Sequence, residues 1–202
     1  FSPKTGRVIS YEETKKDLQI MKANNINALR TSHYPNNTFV YDLCDELGLY
    51  CIDETNLETH GTWSESFDTS IYLPDDKEDK WLDSVLDRAN SMYERDKNHP
   101  SIVIWSLGNE SRGGSILQKE ADFLRAKDNT RVIHYEGISH DRRYPNSSDI
   151  ESQMYTFAVD CEKFILEHPE KPFILCEYAH SMGNSNGALH KYIELEKKLP
   201  LY

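Results

Sequence analysis

Two glutamates stand where a folded chain has little structural reason to put them. Glu110 closes the run Trp105-Ser106-Leu107-Gly108-Asn109-Glu110-Ser111, and Glu177 closes Phe173-Ile174-Leu175-Cys176-Glu177. Each follows apolar residues of the kind that fill a strand buried on both faces, so an acid at the tip is expected to reach a cleft. A lone glutamate there is ordinarily a solvated loop acid. Two of them at separate strand tips, 67 positions apart (177 − 110), can face one pocket although distant in sequence. A facing carboxylate pair is what glycosidic cleavage needs, one group to protonate the departing oxygen and one to attack the anomeric carbon.

The elements that must position this pair are legible as alternating patterns. Short apolar runs at 27–31, 49–54, 101–107, 131–136, 152–155 and 172–178 predict strands. Helices are predicted between them. Ser10 and Glu13 have capping-box spacing, 38–47 is stopped by Gly48, and 80–97 carries Trp81, Val85, Leu86, Ala89, Met92 and Tyr93 at helical spacing. Further helices are expected near 116–127, 161–167 and 188–197. Repeated β-then-α units imply a parallel sheet with right-handed crossovers. Almost every strand ends in polar or ionisable residues: Arg30 and His33; Asp53, Glu54 and Asn56; Asn109 and Glu110; Glu136; Tyr155; Glu177 and His180. Chemistry drawn from many strand tips is how an eight-stranded (β/α)8 TIM barrel builds its site. A nucleotide-binding sheet would show a glycine-rich first turn, and neither GxGxxG nor GxxxxGK[ST] is present. Residues 1–202 therefore read as a single α/β domain, most of a TIM barrel, with about six of the eight strands and the other two expected outside this stretch.

Composition narrows the partners. With 34 acidic and 23 basic residues the net charge is −11, a field that repels nucleic acid and anionic membranes and tolerates a neutral sugar. No apolar run approaches the roughly 20 residues needed to span a bilayer, and residues 1–6 lack the features of a signal peptide. Cys44, Cys51, Cys161 and Cys176 have neither CxxC nor zinc spacing. They are read as reduced thiols, Cys51 and Cys176 as small buried hydrophobes, which points to a cytoplasmic protein.

Four motifs carry a family resemblance: SHYPN at 32–36, ETHG at 58–61, LGNES at 107–111 and CEYAHSMGNS at 176–185. They resemble those of the large bacterial β-galactosidases of glycoside hydrolase family 2. The similarity runs from about Asp17 to Tyr192 and is weakest near 62–79 and 140–152. The first motif and the Asn-Glu pair also occur in the family's β-glucuronidases, while the other combinations point to galactosidase. The resemblance implies a retaining mechanism with Glu110 as acid/base, Glu177 as nucleophile and Tyr155 as the tyrosine hydrogen-bonded to that nucleophile. It makes Asn109 the partner of the sugar 2-hydroxyl and His33 and His180 further sugar contacts. Glu58 and His60, with Glu110 as third ligand, match a Mg²⁺ site. One imidazole would also admit Mn²⁺. A sodium ion is expected in the full-length family, with ligands that cannot be assigned here.

Bland roles are expected for the rest. Asp53 and Glu54 should support strand tips, and Arg30 should pair with one of the carboxylates. Trp81, Met92 and Tyr93 should pack the third helix on the sheet, and the acidic run 75–79 should be a solvated loop and helix start. The edges of an unclosed sheet need partners, which the other domains of a longer chain and a homo-oligomer would supply; residues 1–202 alone should be weakly active or inactive. Competing readings are a β-glucuronidase or β-mannosidase of the same family, a metal-dependent hydrolase built on Glu58, His60 and Glu110, and a non-catalytic sugar-binding barrel.

Overall fold

Every strand pairs in parallel in the computed structural model, which describes residues 2–62, 79–183, 186–200 and 202. The order is α1 (Tyr11–Ala23), β1 (Ala28–Arg30), α2 (Thr38–Leu47), β2 (Tyr50–Glu54), α3 (Leu82–Asp96), β3 (Ile102–Ser106), α4 (Ser115–Lys127), β4 (Val132–His134), β5 (Glu151–Met154), α5 (Ala158–Glu167), β6 (Phe173–Glu177) and α6 (Leu189–Lys198). The predicted strands are all present; most are trimmed by a residue or two, while the one expected at 152–155 lies at Glu151–Met154, one residue earlier. The largest change is after β4, where Tyr135 leaves the sheet and Glu136–Ser139 forms a 3-10 turn. A second 3-10 turn, Pro145–Ser147, takes the place of an α-helix between β4 and β5.

The helix ends follow local chemistry. The Ser10 side chain accepts from the Glu13 N–H while the Glu13 carboxylate accepts from the Ser10 N–H, both at 3.2 Å, completing the capping box. Gly48 ends α2 with φ at 67°, a left-handed conformation that a Cβ disfavours.

β1 to β4 form one four-stranded sheet in sequence order, and β5 with β6 a two-stranded one. Register places Glu54 beside Ser106 and Ser106 beside His134, so three strand tips lie in one row. Side chains bridge the two sheets. Asp149 accepts the Ile133 N–H at 2.7 Å and returns its own N–H to the Ile133 carbonyl at 2.8 Å. The buried His134 ring contacts Ser106 and Ser152 at 3.0 and 2.8 Å, and burial pushes it down to about 4, a neutral link rather than a charge.

Helices α3 and α4 cover the outer face of the first sheet, packing Val85, Ala89, Met92, Ile116, Leu117, Ala121 and Leu124 onto Cys51, Ile102, Trp105 and Ile133. Helices α1 and α2 pack around Leu18, Leu43 and Leu49, and α5 with α6 around Phe173 and Leu175. Met92 and Tyr93 pack on the core as expected, but Trp81 does not. It lies one residue before the first turn of α3, ahead of the apolar stripe, and is 43% exposed. Of the acidic run, residues 75–78 lie outside the described residues, and Asp79 pairs with Lys119 at 2.5 Å. All four cysteines are free thiols; Cys51 is buried, whereas Cys176 is only partly so and lines the cavity beside Glu177 at the end of β6.

Candidate active site

Arg30, at the tip of β1, organises the cleft. Its Nε and Nη2 donate to the two oxygens of Glu54 at 2.6 and 3.0 Å, a bidentate fork. Nη1 donates to Glu177 at 2.8 Å, and Nη2 also donates to the Asn109 side-chain carbonyl at 2.8 Å. The expected pairing with one carboxylate is thus a junction of three strand tips. Burial opposes the arginine's charge, but Glu54 beside it more than offsets that and raises its pKa. Glu54 is fully buried, which alone would raise it; hydrogen bonds from His33, the Arg30 charge and Ser106 hold it below the usual carboxylate range. It supports the strand tip, as expected. Asp53 does the same, accepting from Tyr41 and Thr31 at 2.6 and 3.2 Å.

Both oxygens of Glu177 are engaged. Oε1 accepts from Arg30, and Oε2 accepts a short hydrogen bond from the Tyr155 hydroxyl. Burial, then that bond to Glu177, raises the tyrosine above its ordinary value, so the phenol keeps its proton. His33 follows β1 in a loop that contains a cis peptide between Ser32 and His33. Its Nδ1 lies 3.1 Å from Glu54 and its Nε2 3.6 Å from Glu177. The Glu54 contact raises its pKa against the effect of burial. His180 packs edge-on against the Tyr155 ring at 5.3 Å and shares with Glu177 and Tyr155 a cavity of about 470 Å³.

Glu110 opens on an adjoining cavity of about 370 Å³, which Tyr155 also lines. Tyr155 therefore lines the cavity of each carboxylate. A hydrogen-bonded path also joins them: the Asn109 amide reaches Glu110 at 3.5 Å and Glu58 at 3.2 Å, while its carbonyl accepts from Arg30. Volumes of this size suit a small ligand. Backbone geometry marks the same residues, for Glu110 and Tyr155 both take positive φ, 37° and 57°. Such conformations cost non-glycine residues of order 1–3 kcal/mol and persist where the surroundings impose them.

Glu58, His60 and Glu110 form a cluster of donors that could hold a cation. Each offers a donor atom within 4.8 Å of the others, and His60 Nδ1 lies 2.9 Å from Glu110. Donor atoms this close are the ones that would hold a divalent cation, the side chains shifting slightly to share it. Two carboxylates and one imidazole fit Mg²⁺ or Mn²⁺. A parallel bridge between Glu58 and Asn109, with the Asn109 N–H on the Leu57 carbonyl at 2.8 Å, brings the ETHG segment to the tip of β3. Gly108 permits it, since a Cβ there would lie 2.6 Å from the Leu57 carbonyl oxygen.

The structure thus brings together all eight side chains singled out from sequence: Glu58, His60, Asn109 and Glu110 at one end, His33, Tyr155, Glu177 and His180 at the other. Sequence reasoning gave no role to Glu136. It is 1% exposed, accepts the Glu110 N–H at 2.7 Å, and is pushed up to about 7, first by burial and then by the Glu110 and Glu54 charges. The available signal was an acid directly after an apolar strand, the same signal that flagged Glu110.

A model of the TIM barrel domain of the family 2 glycosyl hydrolases matches residues 1–202. A β-galactosidase of Priestia megaterium is 54% identical over 202 residues, covering 100% of this chain and 19% of that protein. One of Halalkalibacterium halodurans is 51% identical over 204 residues, covering 100% and 20%. The chain therefore spans about a fifth of the length of these relatives. Among solved structures, a β-D-glucuronidase for Dictyoglomus thermophilum superposes with a TM-score of 0.74 at 20% identity, over 99% of this chain and 40% of that one. At that identity the likeness speaks for the fold.

Proposed function

The chain belongs to the family 2 glycosyl hydrolases, as part of their TIM barrel domain, and on that premise we propose that it carries the catalytic carboxylates of a retaining β-galactosidase. The observation that bears most weight is the link between the two glutamates at separate strand tips, through Asn109 and Arg30 and across Tyr155. Identity above 50% to two β-galactosidases favours a galactoside over the glucuronide or mannoside of related enzymes.

Glu177 attacks the anomeric carbon. Its donors, Arg30 and the Tyr155 hydroxyl, hold both carboxylate oxygens and aim the group. As the bond to the aglycone breaks, Glu110 gives its proton to the departing oxygen, leaving a galactosyl ester on Glu177. Glu110 then takes a proton from water, which attacks the same carbon from the aglycone side. Glu177 departs, its charge met again by Tyr155 and Arg30, and the sugar leaves with its β configuration kept. Asn109 meets the 2-hydroxyl, a contact that strengthens in the transition state, and His33 and His180 hold other hydroxyls. Glu58, His60 and Glu110 are the residues that would hold Mg²⁺, whose charge beside Glu110 would adjust that group's proton affinity.

The four free cysteines suit a reducing cytoplasm, and among the described residues no helix is long and apolar enough to cross a membrane. Strands β1, β4, β5 and β6 each have one hydrogen-bonded strand neighbour among the described strands, β4 and β5 being linked by side chains; the rest of the longer chain would complete the barrel, and we place the whole protein in a homo-oligomer.

The test is to inactivate the full-length protein with an activated 2-fluorogalactoside and map the adduct by mass spectrometry. Glu177 should carry it. An adduct elsewhere removes the assignment, and none at all during turnover would favour metal-dependent hydrolysis from the Glu58 cluster.

A further inference from the structure

The loop carrying Glu110 takes an unusual path. Glu110 and Arg112 both have positive φ, 37° and 55°, four and six residues past the end of β3. A backbone bent in this way does not point a side chain reliably unless something holds it. Within Glu110 itself, the backbone N–H is the group nearest the bend whose partner the structure identifies.

That partner is Glu136, from the neighbouring strand-end turn. Its Oε1 accepts the Glu110 N–H at 2.7 Å, while Oε2 lies 3.9 Å from His140 Nε2. The next residue supplies a second, independent contact. A Cβ on Gly137 would fall 1.9 Å from the Arg112 carbonyl oxygen, so the turn Glu136–Ser139 presses directly on the loop it bonds. Glu136 is nine-tenths or more buried, a costly place for a carboxyl group that merely fills space. The bond spans β3 to β4 and touches no atom expected to react.

We propose that Glu136 is a positioning residue for the proton-transfer step: by holding the Glu110 N–H it fixes the direction of the Glu110 carboxyl toward the departing oxygen. This rests on Glu110 being the acid/base group. Glu136 makes no contact with sugar in this role. Its effect is confined to steps in which Glu110 moves a proton.

The consequence is a dependence on leaving group. A poor leaving group, such as an alkoxide or the glucose of lactose, needs full protonation in the transition state. A dinitrophenolate departs without help, so kcat/KM for its galactoside ignores the acid. Water attack on the galactosyl ester still needs the base, so kcat for that substrate should fall, and azide, which needs no base, should restore it.

The experiment uses the full-length protein with Glu136→Leu, which removes the acceptor, and Glu136→Gln, which keeps a carbonyl acceptor. Displacements near 1 Å in an active site can cost about 100-fold. Glu136→Leu should lower kcat/KM for lactose roughly 10- to 100-fold and for dinitrophenyl galactoside less than about 3-fold, with azide rescue of kcat. Glu136→Gln should recover most of the loss. Equal losses on both substrates, or no loss on either, overturn the proposal. So does a Gln variant as impaired as the Leu variant. Glu110→Ala run in parallel separates the two levels, because if it lacks leaving-group selectivity the acid/base assignment itself falls and Glu136's role falls with it. Should Glu136→Leu not fold, Glu136→Ser, which shortens the reach but leaves room for water, replaces it under the same criteria.

Discussion

Replacing Arg30 by methionine should expose how the cleft is balanced. The guanidinium is 7% exposed and its partner Glu54 is fully buried. Methionine keeps much of the volume and removes four hydrogen bonds to oxygen, two to Glu54, one to Glu177 and one to Asn109, besides a 3.4 Å contact with His33. Breaking a buried ion pair from one side typically costs about 3–5 kcal/mol, because a charge is left without a counterion. His33 at 3.1 Å and Ser106 at 2.7 Å remain on Glu54, so the lower half of that range is expected. Glu177 loses one charge-assisted bond of about 1.5–3 kcal/mol, which corresponds to a roughly 10- to 150-fold slower reaction.

The stability loss has a signature in pH. In the native protein Glu54 lies below the usual carboxylate range, so its contribution is present above about 4.5 and is lost as pH falls through the lowered value. Without Arg30, burial dominates and raises it. The variant then regains stability as pH falls toward 4.5, and its deficit should be smaller at pH 5 than at pH 7.5. Urea unfolding of the full-length protein at both values measures this. Arg30→Met with Glu54→Gln should recover at least about 2 kcal/mol of the deficit, since the orphaned charge is gone. A deficit below about 1 kcal/mol, no change with pH, or a double variant worse than the sum of the singles would refute the reasoning. Arg30→Lys should fall between, because an ammonium cannot fork onto Glu54 while reaching Glu177 and Asn109.

Tyr155→Phe removes the hydroxyl on Glu177 and should slow turnover roughly 10- to 150-fold by the same magnitude of bond, with little change in thermal midpoint; a change under 3-fold would separate the tyrosine from the reaction. Gly108→Ala forces a Cβ to within 2.6 Å of the Leu57 carbonyl at a φ of 140°, and should destabilise the protein by about 1–3 kcal/mol and weaken Mg²⁺ binding in calorimetry by loosening the Glu58–Asn109 bridge. Glu120 is wholly buried, and that burial, more than Thr55 can offset, raises its pKa well above 4.5. Stability is full below 4.5 and falls by about 1.4 kcal/mol per pH unit until the raised value is passed. Glu120→Gln should therefore flatten the loss of stability between pH 5 and pH 7.5, and an unchanged slope would show that Glu120 ionises freely.

Much of this protein was legible before any coordinates. Short apolar runs and period-3.6 stripes placed the six strands and six α-helices of the described residues, because burial between layers or along a helix stripe leaves a local trace. The Ser10–Glu13 box and Gly48 marked helix ends for the same reason, since each acts within four residues. Glu110 and Glu177 stood out as acids ending apolar strands, and the family resemblance supplied the other six site residues. What only the tertiary structure decided is how distant strand tips share charge. Arg30 reads in sequence as one more polar strand end, yet it joins Glu54, Asn109 and Glu177, partners 24, 79 and 147 positions away. Glu136 likewise read only as an acid at a strand end, and the left-handed turn at Glu110 left no trace. Hydrogen bonds of that range leave no periodic mark, because they depend on the register of parallel strands and not on the spacing of residues along one of them.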